Sequence, residues 1–327
     1  MQNTLSRRKD NETEVMKEFD WICALEKRNQ EFSKKWEAAS PEAELGHKLL
    51  TFRRAFPFHI LQWYKKRRAF RAAQKKSASI SHPLPPEKRF YYTAPPVQDK
   101  KGVVYSCITS GYDLPFEPLF RDPALDYVLF TDDQNPIENS VWIKQPIKEG
   151  FRAREKENQI NRYYKFHSFD CFPGYDYAIY IDGNVRIMSD ITALYRCAQA
   201  SPIGIAMHRH AHRSCIYQEA KWCEYNGRGN LPAIQQQMLR YEEEGMPRDY
   251  GMAEATIIVT DLHNSTARSL LENWWTEFCD AGSGRDQLCF PYILWKNQYS
   301  MDSVGCLGND EYHNPKFSIN AHRGVLF

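Results

Sequence analysis

The sequence has 327 residues, of which 42% are apolar and 14% aromatic, and its formal net charge is +2. This length and apolar content suffice for one large folded domain or two modest ones, and they exclude an intrinsically disordered chain. The sequence contains no run of 18 or more apolar residues, and its first 15 residues lack the apolar core of a signal peptide. It therefore predicts a cytoplasmic protein without a transmembrane helix.

Residues 1–76 are predicted to form a helical N-terminal region. Residues 14–39 place apolar side chains at helical spacing, and residues 46–76 carry ten Lys or Arg and no Asp or Glu, interleaved with aromatic residues. The basic pattern is typical of an amphipathic helix on an anionic membrane surface and equally of a helix packed on the protein's own domain. No fingerprint of nucleic-acid binding accompanies it. A Pro- and Ser-rich linker over residues 77–101 precedes the predicted main domain, residues 102–327.

The main domain shows short apolar segments that alternate with helical patterns. Strands are predicted at VVYSCIT (103–109), DYVLFT (126–131), YAIYI (177–181), IGIAM (203–207) and ATIIVT (255–260). Helices are predicted within residues 151–169, 264–279 and 285–297. This alternation predicts an α/β fold with a mostly parallel sheet flanked by helices. The nine cysteines show neither a CxxC pair nor a metal-ligand spacing, so reduced thiols are expected.

Polar residues follow three successive predicted strands. Asp182-Gly183-Asn184 follows the third strand and has two interpretations. One is a turn, since Asp-Gly is a strong hairpin signal. The other is a pair of oxygen ligands for a hard cation, with Gly183 leaving room for a phosphate. The loops after the first two strands favour the second interpretation, because ligands of parallel sheets bind at the carboxyl ends of the strands. The candidate nucleotide-binding residues in those two loops are Thr109, Gly111, Tyr112, Asp113 and Asp133.

The helix before the third strand supplies positive charge. Arg162 and Lys165 are three residues apart and share a helix face. They are candidates for binding phosphate oxygens, Arg162 through its planar fork and Lys165 as a point charge. The alternative is an ordinary solvated helix face.

Six blocks of the sequence, in order, resemble a known family. They are VVYSCITSGYD, DYVLFTDD, RYYKFHSFDCFPGYDYAIYIDGN, HRHAHRSCIYQEAKWC, YGMAEATIIVTDLHN and SGRDQLCFPYILWK. Together they resemble the TOD/MUCI-type glycosyltransferase-like family, formerly a domain of unknown function, over roughly residues 103–297. The resemblance implies a GT-A-like, Rossmann-type fold, a nucleotide-sugar donor and a divalent cation, Mn²⁺ or Mg²⁺.

The resemblance also assigns roles to particular residues. Asp182 and Asn184 occupy the outer positions of the Asp-x-Asp metal motif of GT-A enzymes, with Asn184 departing from it. His313 and His322 are the two candidates for a further metal ligand near the C-terminus, and the sequence does not choose between them.

The block SGRDQLCF is similar to the Asp-Gln helix start that lies beside the sugar in several transferases. This makes Asp286 and Gln287 catalytic candidates, with Glu254 as the competing carboxylate for a general base. The alternative for Asp286 is a helix-capping role shared with Ser283. The motif HRHAHRSC (208–215) is compatible with an acceptor or phosphate site and with a plain polar turn.

The expected function is metal-dependent transfer of a sugar from a nucleotide diphosphate sugar to a hydroxyl of a glycan or glycolipid, in surface polysaccharide synthesis. A cytoplasmic enzyme, peripheral on the inner face of the membrane through residues 46–76, is expected. The alternatives are a ceramidase-like metal-dependent hydrolase and a non-catalytic nucleotide-sugar- or lipid-binding module. Deletion of residues 1–76 is expected to abolish vesicle binding and to leave transfer to a soluble acceptor intact.

Overall fold

The computed structural model describes residues 20–34, 100–133, 135, 137, 140–148, 157–320 and 322. Residues 20–34 form a helix, α1, as the N-terminal pattern predicts. By its contacts the chain divides into two units, Met1–Lys27 with Ala94–Phe327, and Arg28–Thr93. The described part of the second unit, residues 28–34, is helical. The predicted basic segment 46–76 and most of the predicted linker 77–101 lie outside the described residues.

A seven-stranded sheet organises the main domain, with the strand order β3-β2-β1-β4-β7-β6-β8. The neighbouring pairs run parallel except those that involve β7, which is antiparallel to β4 and to β6. These strands are β1 (Gly102–Ile108), β2 (Leu125–Thr131), β3 (Ile143–Pro146), β4 (Tyr177–Ile181), β6 (Ile205–Arg209), β7 (Ala253–Asp261) and β8 (Gly305–Gly308). A separate antiparallel pair joins β5 (Val185–Ile187) to β9 (Phe317–Ile319).

Seven helices follow α1 in the described part of the main domain. They are α2 (Glu157–Phe166), α3 (Ser168–Cys171), α4 (Tyr195–Ala200), α5 (Ile216–Tyr225), α6 (Leu231–Glu243), α7 (Ser265–Ala281) and α8 (Phe290–Lys296). The predicted helix at 285–297 begins instead as a 3-10 turn, Asp286–Leu288, ahead of α8. The expected α/β class, a mostly parallel sheet flanked by helices, is confirmed.

The core has two layers because successive side chains of a strand point to opposite faces of the sheet. In β1, Val103 and Tyr105 belong to a cluster that also contains buried residues of α2, α5, α6, α7 and α8. Val104 belongs to the other cluster, together with Ile179 of β4 and residues of α4. The central strands β1 and β4 are buried along their whole length. Loops at the strand ends are therefore held on a rigid support.

The segment after β4 is a turn, but it is not a hairpin. The backbone N–H of Val185 donates to the carbonyl of Asp182, which closes the turn, whereas β5 pairs with β9 and leaves β4 to pair with β1 and β7. A Cβ at Gly183 would lie 2.9 Å from the side chain of Ile108, so a larger residue in the turn would require Ile108 to move. The hairpin interpretation of Asp-Gly is therefore wrong here.

All nine cysteines are free thiols, in agreement with the spacing argument. Five are buried and four are partly buried. Among the described residues, no helix combines the length and apolar character that a membrane crossing needs.

Candidate functional site

The sheet topology brings the predicted loops to one edge. Thr109 follows the carboxyl end of β1 and Asp182 follows the carboxyl end of the adjacent parallel strand β4. Because β7 runs antiparallel to β4, its first residues, including Glu254, start at this same edge. The backbone N–H of Asp182 donates to the carbonyl of Thr256 at 3.0 Å, which fixes the two strands to each other at the site.

Two cavities open at this edge. The larger, here called the Glu254 cavity, has a volume of about 440 Å³. The predicted site residues that line it are Arg162, Lys165, Asp182, Asn184, Glu254, Asp286, Gln287 and His322. The other, here called the Thr109 cavity, has a volume of about 390 Å³. The predicted site residues that line it are Thr109, Tyr112, Asp113, Arg162, Asp182, Gly183 and His322.

The two cavities share five residues, namely Arg162, Asp182, Arg228, Arg285 and His322. Three of the five are arginines, so the junction is rich in the side chain that best matches phosphate geometry. Arg228 is exposed and has no side-chain partner among the residues that the structure describes. The junction is therefore equipped to receive an anionic group that spans both cavities.

Three predicted site residues line neither cavity. Gly111 is exposed in the turn after β1, with φ of +65°, a conformation that glycine adopts without strain. Asp133 accepts a hydrogen bond from Lys144 at 3.0 Å, which directs its carboxylate to β3. His313 Nδ1 lies 2.7 Å from Asp310 Oδ2 within its own turn.

Asp286 is held by two cations. Its carboxylate lies 2.7 Å from Lys165 Nζ and 3.4 Å from Arg162 Nη2, and Asp286 and Lys165 are both buried. Burial alone would raise the pKa of Asp286, but the two positive charges outweigh it and hold the pKa well below its usual range. Asp286 is therefore a permanent anion and a weak base. Asp286 is also the acid in the first turn of the 3-10 segment, as the alternative interpretation expects, but the residue before that turn, Arg285, forms no side-chain cap bond.

Glu254 is buried and has no Lys or Arg bonded to it among the residues that the structure describes. Its Oε2 accepts a hydrogen bond from Gln287 Nε2 at 2.7 Å, and its Oε1 lies 3.4 Å from His210 Nδ1. Burial raises the pKa of Glu254, against the opposing effects of His210 and of the Gln287 hydrogen bond. A carboxyl with a raised pKa at a ligand cavity is suited to exchange a proton with the ligand.

Sequence reasoning missed Glu311, a further buried acid at the Glu254 cavity. Thr256 donates to Glu311 Oε1 at 3.1 Å, while Oε2 is buried without a hydrogen-bond partner. Burial and the nearby charges of Glu254 and Asp182 raise the pKa of Glu311 well above its usual range. Its position in a short irregular turn, Glu311–His313, offers no periodic signal that would have revealed it.

The histidine-rich motif after β6 also reaches the site. His210, His212 and Arg213 line the Glu254 cavity. The imidazole of His210 lies between two carboxyls, since Glu219 Oε2 is 3.5 Å from its Nε2 and Glu254 is on its other side. Arg213 bonds Glu219, and its guanidinium stacks over Trp222 at 4.9 Å. His208 instead points into the core and is fully buried.

The residues suited to a divalent cation are Asp182, Asn184 and His322. Asp182 Oδ1 accepts from Tyr180 OH at 2.7 Å, which leaves Oδ2 toward the cavity, and Asn184 donates its Nδ2 to the carbonyl of Asn320, which leaves Oδ1. His322 Nδ1 lies 2.6 Å from Asp113 Oδ2, so Nε2 is left for a ligand, as in many metal-binding histidines.

This donor set fits Mn²⁺ or Mg²⁺, which accept oxygen ligands and, for Mn²⁺, imidazole nitrogen. Within the described ranges no three His, Cys, Asp or Glu side chains are grouped as metal ligands. The amide oxygen of Asn184 would therefore be needed as the third protein donor.

The fold and its paired polar cavities at the strand ends define an α/β ligand-binding domain of the kind that carries enzyme active sites. A family model described as "TOD1/MUCI70, glycosyltransferase-like domain" matches residues 151–313. Residues 151–313 are thus similar to the TOD1/MUCI70 glycosyltransferase-like domain, which confirms the resemblance over this range. The match covers Arg162, Lys165, Asp182, Glu254 and Asp286, but not the loop at Thr109.

Several solved structures are similar at low identity. The bifunctional glycosyltransferase WbbM is 15% identical with a TM-score of 0.35, and the match covers 67% of this chain and 40% of WbbM. Mouse xyloside xylosyltransferase 1 is 11% identical with a TM-score of 0.36, covering 63% of this chain and 83% of that protein. The galactosyltransferase LgtC, in complex with donor and acceptor sugar analogues, is 10% identical with a TM-score of 0.34, covering 63% and 72%. No curated protein sequence matches the chain.

Proposed function

We propose that the protein is a glycosyltransferase that moves a sugar from a nucleotide diphosphate sugar to a hydroxyl of a glycan or glycolipid, in surface polysaccharide synthesis. The observation that carries the proposal is the junction of the two cavities at Asp182 and three arginines. A nucleotide diphosphate sugar has a base and ribose at one end, two phosphates in the middle and a sugar at the other end. The two cavities and their cationic junction follow this order.

The donor would bind with its nucleoside in the Thr109 cavity, against Tyr112 and Asp113, and with its phosphates at Arg162, Arg228 and Arg285. Its sugar would then lie in the Glu254 cavity. Asp286 would act by fixing Arg162 and Lys165, because its own pKa is too low for proton transfer. This role for Asp286 differs from the base suggested by the sequence.

Glu254 would take the proton of the acceptor hydroxyl as that oxygen attacks the anomeric carbon. The new carbon–oxygen bond forms as the bond to the phosphate oxygen breaks, and the nucleoside diphosphate leaves with the electron pair. Gln287 would hold Glu254 in place through its 2.7 Å hydrogen bond. Loss of a general base costs on the order of 10² to 10⁴ in rate.

Asp182, Asn184 and His322 would hold a divalent cation, most suitably Mn²⁺. When bound, such a cation neutralises charge on the leaving diphosphate. Tyr180 and Lys165, at 2.7 and 3.8 Å from Asp182 Oδ1, orient the Asp182 carboxylate. Asp182→Ala is expected to abolish turnover and to weaken Mn²⁺ binding in a ligand-only titration, while the fold is retained.

The decisive experiment incubates the full chain with a panel of nucleotide diphosphate sugars and sugar acceptors, with Mn²⁺ or with EDTA. Mass spectrometry then records the nucleoside diphosphate and the glycosylated acceptor. A glycosylated product that requires Mn²⁺ is expected. Release of free sugar alone would identify a hydrolase, and donor binding without any product would identify a non-catalytic module.

We also propose that the basic segment 46–76 binds an anionic membrane surface on the cytoplasmic side, which would bring the site to a glycolipid acceptor. Each basic residue near such a surface contributes about 1 kcal/mol. Replacing Lys65, Lys66, Arg67 and Arg68 by Gln is expected to weaken sedimentation with phosphatidylserine vesicles at least tenfold. Equal sedimentation of variant and parent would reject this part of the proposal.

A further inference from the structure

The segment from Gly308 to Asn314 supplies two side chains to the Glu254 cavity. Glu311 and Tyr312 both line this cavity, and both are carried by a single short 3-10 turn, Glu311–His313. A turn of this length has little internal hydrogen bonding with which to fix its position. Its placement therefore depends on what holds the segment from outside.

Glu26 of α1 holds this segment through both carboxylate oxygens. Glu26 Oε2 accepts from the backbone N–H of Asn309 at 2.6 Å and of Asp310 at 3.1 Å. Glu26 Oε1 accepts from Asn314 Nδ2 at 2.9 Å. One side chain thus bonds both ends of the turn that carries Glu311 and Tyr312. Glu26 is only 3% exposed, so these bonds are shielded from water.

The surrounding residues are fitted to this carboxylate. A Cβ at Gly308 would lie 2.1 Å from Glu26 Oε1, so no larger residue leaves room for it. Asn314 Nδ2 also lies 3.0 Å from His208 Nε2, which links the segment to β6. Burial raises the pKa of Glu26 to about 7, against the three hydrogen bonds. A charged carboxylate buried at Glu26 opposes folding, and its three hydrogen bonds to the segment offset this cost.

We propose that Glu26 is a positioning residue of the candidate active site, which acts by fixing segment 308–314 and with it Glu311 and Tyr312 at the Glu254 cavity. Glu26 of the N-terminal helix α1 then contributes to the site through segment 308–314. This changes the expectation that residues 1–76 are dispensable for transfer, since their deletion removes Glu26. The inference that Glu26 positions this segment does not depend on the proposed function. The expected effect of Glu26 on turnover does rest on the proposed function.

The test compares Glu26→Ala, Glu26→Gln and the parent in the full-length chain. Amide hydrogen exchange is followed in peptides from segment 308–314 and from β1 and β4. In Glu26→Ala, exchange of the segment is expected to rise at least ~10-fold while β1 and β4 stay unchanged, because local opening has its own free energy. Glu26→Gln keeps an acceptor for the two backbone N–H groups but presents an amide to Asn314, so an intermediate increase is expected.

Two controls separate positioning from general stability. Asp20→Asn changes an exposed acid of the same helix and is expected to behave as the parent. Glu277→Ala removes a buried carboxylate that bonds Arg240 and Tyr241 away from both cavities, and it is expected to lower stability without selective exchange at 308–314. The ¹⁵N signal of His208 Nε2 is expected to shift in Glu26→Ala and to stay in place in Glu277→Ala.

Turnover of the donor found in the panel supplies the second readout. In Glu26→Ala, kcat is expected to fall at least ~10-fold while the Kd for the nucleoside diphosphate of that donor, measured by calorimetry, changes less than ~2-fold, because the Thr109 cavity is lined by other segments. Unchanged exchange at 308–314, or exchange raised equally throughout the chain, would overturn the proposal. Local exchange with parental kcat would overturn the role in the site. A parent without transferase activity would refute the proposed function, and exchange would then decide the positioning.

Discussion

Among the buried carboxyls at the Glu254 cavity, Asp286 and Glu254 have opposite surroundings. Asp286 lies against Lys165 and Arg162, at 2.7 and 3.4 Å, and its pKa is lowered. Glu254 is bonded by the neutral amide of Gln287, and its pKa is raised. Both side chains are almost completely buried, so burial does not distinguish them. Their partners do, because Asp286 is bonded by a lysine and an arginine, whereas Glu254 faces only the imidazole of His210 and an amide.

The carboxyls of Asp286 and Glu254 are therefore suited to different roles. An acid kept ionised by two cations contributes fixed charge and orientation, whereas an acid whose charged form is disfavoured takes up a proton readily. Glu311, with one oxygen lacking a partner, belongs with Glu254. Substitutions at Glu254, Asp286 and Thr256 test whether the buried carboxyls of the Glu254 cavity differ in this way.

The largest expected effect is on turnover in Glu254→Gln. The variant keeps the shape and the hydrogen-bonding capacity of the side chain but cannot accept a proton, so kcat is expected to fall on the order of 10² to 10⁴. Its melting temperature is expected to stay close to that of the parent, since no Lys or Arg loses its partner and only the contact with His210 loses its charge. Steady-state kinetics with calorimetric melting as the control measures both. A rate within threefold of the parent would contradict the role of Glu254.

Asp286→Asn is expected to act mainly on stability. The substitution leaves the ammonium of Lys165, whose side chain is 1% exposed, without its closest anion. Breaking a buried pair in this way costs about 3 to 5 kcal/mol. Urea unfolding measures the free energy. A variant as stable as the parent but with a turnover loss equal to that of Glu254→Gln would reverse the two assignments.

The pH dependence of stability is expected to differ in sign between the two carboxyls. For Glu254, the folded pKa is above the unfolded value, so its contribution is present below about pH 4.5 and is lost as pH rises through the folded pKa. The stability of the parent relative to Glu254→Gln should fall by up to about 1.4 kcal/mol per pH unit in that window.

For Asp286 the folded pKa is below the unfolded value, so its contribution is present above about pH 3.8 and is lost only at lower pH. The stability of the parent relative to Asp286→Asn should therefore stay constant from pH 5 to pH 8. Parallel curves for the two variants would show that the surroundings of the two carboxyls are equivalent.

The smallest effect is expected for Thr256→Val. This change removes the hydroxyl that donates to Glu311 Oε1 at 3.1 Å and keeps the β-branched shape of the strand residue. Loss of one such hydrogen bond costs about 1 kcal/mol, so kcat of Thr256→Val is expected to fall roughly fivefold. The same substitution at Thr260, a buried threonine of β7 that lines neither cavity, is the matched control for turnover.

Much of the fold was predictable because its strong signals are local. The five predicted strands are apolar segments bounded by polar loops, and the loops after the first three, at Thr109, Asp133 and Asp182, were expected at one edge. Glu254 reaches this edge because β7 runs antiparallel to β4, which the sequence did not predict. The short strands β3, β5, β8 and β9 were not predicted, since segments of three or four residues such as Val185–Ile187 carry too little pattern. The hairpin signal of Asp-Gly failed because β5 pairs with β9, which is distant in sequence.

Residues of the candidate site were predictable where they follow strands. They were unpredictable where only tertiary contacts bring them to the site. Asp182 and Arg162 were found from their position relative to β4. Glu311 and Glu26 were not, because their importance comes from contacts across long sequence separations, such as that between Glu26 and Asn314. The direction of a pKa shift is likewise invisible in sequence, so the sequence left Asp286 and Glu254 as competing candidates for the base, and the two cations beside Asp286 became visible only in the structure.

The most direct test of the account is a single-turnover measurement of glycosyl transfer by Glu254→Gln and Asp286→Asn, at a temperature where circular dichroism shows both variants folded. A saturating donor from the panel, Mn²⁺ and an excess of acceptor make the chemical step visible. We expect Glu254→Gln to slow this step on the order of 10² or more, and Asp286→Asn to slow it less while weakening donor binding. A chemical step that is lost in Asp286→Asn and retained in Glu254→Gln would contradict the account.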